Sequence, residues 1–202
     1  MSHAVPTPQH AGRPGAPAVY SYRRHAFGNE SGWTLGPAAL VRAEAGAPAR
    51  QIAYADVEEL RLSFDPTRFD RNRYRCDVRA KNGARLTILS TSYISVGNFE
   101  DRGGRYAPFV RGLVARVAQA SPHCRFRSGK TPVAYWLQHI VLLAALILLA
   151  SALAVVGGLP PMVAIAVKLA VIAFYIPLAL RYARRNFPRG FTADRIPPEM
   201  LP

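Results

Sequence analysis

The sequence predicts an α+β protein, in which a small antiparallel β-domain closed by one amphipathic helix precedes a two-helix transmembrane hairpin. Residues 31–128 contain short alternating segments, separated by turn residues about every 8–12 positions, as in all-β structure. Residues 105–120 place apolar side chains at the spacing of one helix face. Two apolar stretches follow, at residues 133–156 and 162–180. Each is close to the roughly 20 helical residues that cross a bilayer.

These patterns divide the chain into successive segments. Residues 1–30 are rich in proline and alanine and are predicted to be a disordered arm. The β-domain occupies residues 31–128. The transmembrane helices are expected at 133–156 and 162–182, and a basic, proline-rich tail at 183–202. The functional residues of such a protein could lie in the β-domain, in the helices, or in both.

The β-domain is expected to contain six strands, the clearest of which form a β-hairpin around Asn82. Apolar and polar residues alternate along both arms, so a shift of one residue would turn the apolar side chains toward solvent. A loop of residues 81–83 with Gly83 in the left-handed conformation avoids this shift and pairs Val78 with Leu86. The predicted strands are residues 32–35, 39–43, 50–54, 57–64, 73–81 and 85–90.

Charge distribution predicts the orientation of the transmembrane hairpin. The chain has 26 Lys and Arg against 12 Asp and Glu, a formal net charge of +14. Arginine and lysine flank the apolar stretches on their outer sides, whereas residues 157–161 between them have no charge. Because such cations remain on the cytoplasmic side, we expect a multi-pass protein of the bacterial inner membrane with both termini in the cytoplasm.

Polar and aromatic residues in the two helices are expected to mark the membrane interface. His139 could serve as a proton relay or a metal ligand, and Lys168 could be a buried functional cation. An interfacial position for His139 and a side chain of Lys168 that extends to the interface are the simpler interpretations. The predicted interface residues are Tyr135, Trp136, Lys168, Tyr182, Arg184 and Arg185.

A group of cations in the loop 65–72 and along the β-hairpin is the candidate binding site. Such a surface would attract anionic lipid headgroups or an acidic protein. An ordinary solvated strand face is the alternative, since exposed strands commonly carry charge. Nucleic acid is less consistent with it, because no aromatic residues suited to base stacking are interleaved. The candidate residues are Arg68, Arg71, Arg73, Arg75, Arg79, Lys81 and Arg85.

Catalysis and metal binding have no support in the sequence. Cys76 and Cys124 lack the spacing of a zinc site, and the usual hydrolase, P-loop and dinucleotide motifs do not occur. The adjacent Glu58 and Glu59 would face opposite sides of a strand and would not share a site. We therefore expect no cofactor, no metal and no enzymatic activity.

Two segments resemble the bacterial PH-like (GRAM-like) domains that are fused to transmembrane helices. They are Gly32-Trp33-Thr34-Leu35 and residues 52–62, and the Asn-Gly hairpin and the closing helix add to the likeness, which covers residues 31–120. The resemblance implies a domain that binds lipid headgroups, peptides or protein surfaces and that has no catalytic machinery.

The expected function is that of a membrane-anchored, cytoplasm-facing binding or scaffold module that contacts anionic lipid or a protein partner through its basic face. The alternative is a small accessory subunit of a membrane complex in which the transmembrane hairpin is the working part. Polar groups on the helices, such as His139 and Lys168, would then be essential while the β-domain would be dispensable.

Overall fold

The computed structural model describes residues 18–67, 69–155 and 161–202, and over these residues the protein is mainly β-sheet. The part of the chain so described contains eleven strands and three α-helices. The strands are β1 Val19–Arg23, β2 Glu30–Leu35, β3 Ala39–Glu44, β4 Ala47–Ala53, β5 Val57–Phe64, β6 Tyr74–Ala80, β7 Arg85–Leu89, β8 Thr91–Ser95, β9 Asn98–Asp101, β10 Arg125–Ser128 and β11 Arg189–Gly190. The helices are α1 Gly103–Ala120, α2 Pro132–Val155 and α3 Pro161–Asn186.

The strands form two larger sheets and one short β-hairpin. Strands β1 to β4 make an antiparallel sheet in chain order. The second sheet has the order β11-β10-β5-β6-β7, in which β10 runs parallel to β5. Strands β8 and β9 pair only with each other. A 3₁₀ turn, Tyr54–Asp56, links the two larger sheets, so the chain turns a corner between β4 and β5.

The predicted β-hairpin is confirmed in register and in turn geometry. Val78 pairs with Leu86 and Cys76 with Ile88. Gly83 has φ of 83°, the left-handed conformation that the three-residue loop requires. The side chains of Cys76, Val78, Leu86 and Ile88 are buried, because this register places them together on the inner face of the sheet.

Helix α1 closes the open end between the sheets through one apolar face. Tyr106, Phe109, Val110, Leu113 and Val117 are buried on that face. Tyr106 and Phe109 contact Tyr20 of β1 with ring centroids 6.0 and 5.5 Å apart. The helix predicted at residues 105–120 therefore forms, and it begins at Gly103.

The sheet begins earlier than the sequence pattern indicates, because β1 lies within the segment assigned to the N-terminal arm. Tyr20 and Tyr22 of β1 are buried and donate hydrogen bonds from their hydroxyls to the carbonyls of Leu89 and Thr87 in β7. These two hydrogen bonds join β1 of one sheet to β7 of the other through side chains, since the two strands are not paired with each other. The prediction for residues 1–17 lies outside the described residues.

The two C-terminal apolar stretches are helical, as α2 and α3, but the prediction that they form a transmembrane hairpin is wrong. Among the residues that the structure describes, no helix is long and apolar enough to cross a membrane. A bilayer core needs about 20 consecutive apolar residues. The longest stretch without a charged, histidine or amide side chain is 140–155 in α2, after His139, and 169–180 in α3, after Lys168. Both are shorter than this length.

The predictions that depend on a transmembrane hairpin are contradicted by the same finding. They are the complete α+β fold class with two spans, the integral membrane partner, and the multi-pass location in the bacterial inner membrane with cytoplasmic termini. The alternative function, in which a transmembrane hairpin is the working part of a membrane complex, thereby loses its structural element. What the structure supports is a mainly β protein with three described helices.

The C-terminal tail returns to the β-domain after α3. Strand β11 pairs with β10, and Phe191 packs on Phe126 with ring centroids 5.6 Å apart. Met200 and Leu201 are 3% and 7% exposed and belong to the main core. The tail is thus an integral part of the domain that holds the candidate site.

A candidate binding face on the mixed sheet

The outer face of the five-stranded sheet carries rows of charged side chains. In one row Arg125 of β10 lies beside Glu59 of β5, which lies beside Arg79 of β6, which lies beside Arg85 of β7. In the next row Arg127, Arg61, Asp77 and Thr87 follow each other in the same order. The alternate residues of these strands, such as Leu60 and Val78, point into the core. We call this outer surface the basic sheet face.

Two glutamates on β5 are each shared by two arginines. A β-bulge between Val57 and Glu59 allows the adjacent Glu58 and Glu59 both to reach arginines of the neighbouring strands. Glu58 lies 2.5 Å from Arg125 and 3.7 Å from Arg79. Glu59 lies 2.9 Å from Arg61 and 3.8 Å from Arg127. Neither glutamate can neutralise both of its partners.

Asp65 has the same arrangement at the end of β5. Its carboxylate lies 2.7 Å from Arg73 and 3.4 Å from Lys130. Burial by itself raises the pKa of Asp65, but the charges of Arg73 and Lys130 and the hydrogen bond from Arg73 outweigh it, so that the pKa is below its ordinary value. Asp65 therefore remains ionised and joins the loop after β5 to the chain that enters α2.

Asp77, in the middle of β6, is the fourth carboxylate of the group. It accepts a hydrogen bond of 2.6 Å from the Thr87 hydroxyl and forms an ion pair of 2.7 Å with Arg75. Burial alone lowers the pKa of Arg75, and the hydrogen bond and charge of Asp77 more than compensate, which raises it. The arginine is held in place by its own neighbour on the strand.

The basic sheet face and its Asp65 corner together have an excess of positive charge. Eight cations stand against the four carboxylates within the described part of the chain, which gives a net charge of +4. Arg79, Arg125 and Arg127 keep 48%, 51% and 40% of their side chains exposed. The eight cations are Arg61, Arg73, Arg75, Arg79, Arg85, Arg125, Arg127 and Lys130.

The structure brings together only part of the predicted binding site. Arg73, Arg75, Arg79 and Arg85 belong to the group just described. Lys81 lies at the turn of the β-hairpin and donates a hydrogen bond of 3.1 Å to the Ala55 carbonyl. The other two predicted residues belong to the loop 65–72, where Arg71 is exposed and Arg68 lies outside the described residues.

Arg125, Arg127, Lys130 and Arg61 are members of the group that the sequence pattern did not identify. Arg125, Arg127 and Lys130 lie between α1 and α2. Their charges were therefore interpreted as a signal of membrane orientation and not as part of a binding site. Strand β10 is short and pairs with β5 in parallel, and parallel pairing between residues so distant in sequence has no local signature. Arg61 is 8% exposed, and its guanidinium donates to the carbonyls of Gly129 and Lys130.

Two of the predicted interface residues, Tyr135 and Tyr182, make contacts near the start of α2 and the end of α3. The Tyr182 hydroxyl donates a hydrogen bond of 2.6 Å to Gln138, and Lys130 Nζ lies 5.7 Å from the centroid of the Tyr182 ring. Tyr135 is 9% exposed and stacks on His139, whose Nδ1 lies 2.7 Å from the Tyr135 carbonyl. His139 is thus engaged with its own helix.

The remaining interface predictions concern one tryptophan and three cations. Trp136 is 64% exposed, and Arg184 is exposed. The Arg185 guanidinium lies 4.8 Å from the centroid of the Phe64 ring. Lys168 is part of α3, and its side chain lies outside the described part. No finding tests the interface role of these residues.

The described residues offer no evident metal site or reactive thiol. No cluster of three His, Cys, Asp or Glu side chains among them could hold a metal ion. Cys76 and Cys124 are buried thiols. Burial raises the pKa of Cys76, and it raises that of Cys124 to about 11, so both remain protonated at neutral pH.

Comparison with known proteins gives no family for this chain. No family model matches it, and no curated protein matches it. The resemblance to PH-like domains fused to transmembrane helices is therefore contradicted: it has no support from families or relatives, and the spans it implies are not found among the described helices. Any function must be argued from the geometry of the protein itself.

Proposed function

We propose that this protein is a non-catalytic binding module that docks an acidic protein surface on its basic sheet face. The sharing of each glutamate on β5 between two arginines is the observation that carries the proposal. A face whose charges were there only for solvation or stability would gain from one carboxylate for each cation. On the basic sheet face the cations outnumber the carboxylates, and ion pairs with the shared glutamates hold the guanidinium groups in position.

Fixed guanidiniums favour carboxylates as ligands. Arginine presents its donors in a planar fork that matches a carboxylate, and holding the fork in advance lowers the entropy cost of binding. Arg79 and Arg125 lie on either side of Glu58, so a partner carboxylate between them would meet two half-exposed cations. Such pairing contributes specificity and association rate.

The composition of the face favours a protein over a bilayer or nucleic acid. The basic sheet face has no exposed large apolar side chain among its described residues, so nothing on it would enter a hydrocarbon layer. Its described residues also include no exposed aromatic ring on which a base could stack. Its rows of charged side chains, in which arginines exceed carboxylates, instead favour a protein surface with an excess of carboxylates.

Binding of the full-length protein to a fluorescent poly-glutamate peptide tests the proposal. We expect binding that weakens as salt is raised, because the attraction is between exposed charges. The double variant Arg79→Gln and Arg125→Gln should bind roughly tenfold more weakly, which corresponds to about 1.4 kcal/mol for two exposed charges.

A matched control uses arginines at other places on the same domain. Arg50 of β4 and Arg111 of α1 are exposed and form no described ion pair, so Arg50→Gln with Arg111→Gln changes the net charge equally. Equal weakening by the two double variants would show that net charge alone matters and would refute a specific face. Failure of the native protein to bind the peptide at low salt would also refute the proposal.

A further inference from the structure

The loop at the tip of the β6–β7 hairpin contains an asparagine that is followed by glycine. Gly83 follows Asn82, whereas glutamate, arginine or phenylalanine follows the other four asparagines of the chain, at positions 29, 72, 98 and 186. Asn82 and Gly83 are both exposed. A Cβ built on Gly83 would have none of the described atoms beyond its chain neighbours within 4 Å, so the backbone there is open to its surroundings.

The absence of a side chain on Gly83 makes one intramolecular reaction sterically easy. The side chain of Asn82 ends in an amide carbon, Cγ, which a nitrogen nucleophile can attack. The backbone nitrogen of the next residue reaches this carbon by closing a five-membered ring, and glycine has no Cβ to obstruct the approach. Among the five asparagines, Asn82 therefore meets the least steric resistance to this attack.

Cations surround the loop in which the reaction would occur. Arg79 and Arg85 are paired across the hairpin at the base of the loop, and Lys81 follows the end of β6. All three are exposed. Glu58 lies 3.7 Å from Arg79, but Lys81 and Arg85 have no ion-pair partner among the described residues. Because the attack places negative charge on the amide oxygen, these cations stabilise its transition state.

Two hydrogen bonds restrain the reacting groups in the folded loop. The Gly83 N–H donates to the Ala80 carbonyl at 3.0 Å. The Asn82 Oδ1 accepts from the Ala84 N–H, also at 3.0 Å. The reaction therefore needs a local opening of the loop, which costs little free energy at an exposed hairpin tip.

We propose that Asn82 is a site of spontaneous deamidation, favoured by the cations around its loop. The Gly83 nitrogen forms a bond to Asn82 Cγ and gives up its proton, while the bond from Cγ to the side-chain nitrogen breaks. Ammonia leaves with that proton, and a succinimide ring remains. Water then opens the ring: cleavage at Cγ gives aspartate, and cleavage at the main-chain carbonyl gives isoaspartate. One water is consumed, one ammonia is released, and nothing is oxidised or reduced.

The two products differ in their effect on the hairpin. Aspartate preserves the length of the main chain, and its carboxylate can accept the hydrogen bond from Ala84. Isoaspartate continues the main chain through the side chain and so adds one carbon atom to the loop. The pairing of Val78 with Leu86 depends on a loop of fixed length with Gly83 left-handed. Isoaspartate should therefore destabilise the hairpin, whereas aspartate should not.

Incubation of the full-length protein at neutral pH tests the proposal, which does not depend on the basic sheet face. Peptide mapping by mass spectrometry follows each asparagine, and an isoaspartate-specific methyltransferase measures that product. We expect Asn82 to convert to both products while the other four asparagines stay intact. A synthetic peptide of residues 78–88 should convert roughly tenfold faster, because it lacks the two hydrogen bonds of the folded loop.

Substitutions separate the reacting amide from the charges around it. Asn82→Ser removes the amide and should abolish the conversion. Lys81→Gln with Arg85→Gln should slow it about threefold, since two exposed cations no longer stabilise the developing charge. Arg50→Gln with Arg111→Gln changes the net charge equally at exposed positions elsewhere, so this matched control should leave the rate unchanged. Thermal unfolding verifies that the variants are folded.

A comparison of Asn82→Asp with protein aged by the incubation isolates the effect of isoaspartate. Asn82→Asp should unfold at the same urea concentration as the native protein, because its main chain is unchanged. The aged protein should contain a fraction, equal to its isoaspartate content, that unfolds at a lower urea concentration.

Each part of the proposal has an outcome that would overturn it. The site would be refuted if Asn82 stayed intact through many half-lives of the peptide 78–88, or if another asparagine converted as fast. Equal rates in the variant at Lys81 and Arg85 and in its control would refute the role of the cations. A single unfolding transition at the native urea concentration, in aged protein that contains isoaspartate, would refute the effect on the hairpin.

Discussion

Two buried tyrosine hydroxyls with different environments predict opposite effects of the same substitution. The Tyr20 hydroxyl donates a hydrogen bond of 2.5 Å to the Leu89 carbonyl. The Tyr106 hydroxyl is buried and has no partner within the described part of the chain. Burial raises the pKa of both Tyr20 and Tyr106, so both stay protonated at neutral pH.

Tyr20→Phe should lower the free energy of unfolding by about 1–3 kcal/mol, because the buried Leu89 carbonyl loses its donor. Tyr106→Phe should leave it unchanged or raise it, because the hydroxyl removed makes no hydrogen bond. Urea unfolding of both variants measures the difference. Equal destabilisation would show that the hydroxyl of Tyr106 has a partner in solution.

Residue-scale prediction from the sequence succeeded where the pattern was local. The alternation in β6 and β7 identified the buried positions, and the left-handed Gly83 followed from the register that those positions required. Tyr20 and Tyr22 were missed because they follow a proline- and alanine-rich segment. Their burial depends on strand β7 and helix α1, which are distant in sequence.

Asp65 joins the loop after β5 to the start of α2 and should make part of the stability depend on pH. Its pKa in the folded protein is below the ordinary value of 3.8. The ion pairs with Arg73 and Lys130 therefore stabilise the protein fully above about pH 4. Their contribution is lost as the pH falls further toward the folded pKa, because the carboxylate becomes protonated.

Asp65→Asn should reduce the free energy of unfolding at neutral pH by roughly 1–2 kcal/mol, since two cations lose their shared partner. The difference from the native protein should shrink below about pH 4, where the native carboxylate is also neutral. Urea unfolding at several pH values measures it. A difference that stays constant down to pH 2 would contradict the assigned ion pairs.

At the scale of elements, the sequence predicted the antiparallel pairing of β6 with β7 and missed the parallel pairing of β10 with β5. Strands β5, β6 and β7 are consecutive and carry alternating apolar residues, so their order follows from short connections. Strand β10 has four residues and pairs with β5 across a long connection that includes α1. Two cations of the basic sheet face were therefore not identified, because Arg125 and Arg127 reach it only through that pairing.

For the whole molecule, hydropathy gave the positions of α2 and α3 but not their role. Both stretches are helical where expected, yet no helix among the described residues meets the requirement for a membrane span. The tail that follows them looked like a basic, proline-rich end of the chain. In the structure it supplies β11, Met200 and Leu201 to the β-domain, a long-range contact that no local pattern indicates.

The tail should therefore contribute to the stability of the β-domain. Met200→Ala and Leu201→Ala should each lower the free energy of unfolding by about 2–4 kcal/mol, because each leaves a cavity in the core. Glu199→Ala, at an exposed neighbour, is the control and should change it by less than about 0.5 kcal/mol. Urea unfolding followed by tryptophan fluorescence reports on the core, because Trp33 is fully buried there. Unaltered stability in the first two variants would show that the tail does not pack in solution.

The pairing of β11 with β10 has a consequence for the order in which the protein can be completed during synthesis. The β-domain begins with β1, but its outer strand and part of its core come from residues after α3. While the ribosome makes α2 and α3, the edge of β10 and the surface later covered by Met200 stay uncovered. An uncovered strand edge promotes pairing with other chains and is a feature that chaperones and proteases encounter. A chain interrupted before β11 would therefore leave the edge of β10 and part of the core of the β-domain exposed.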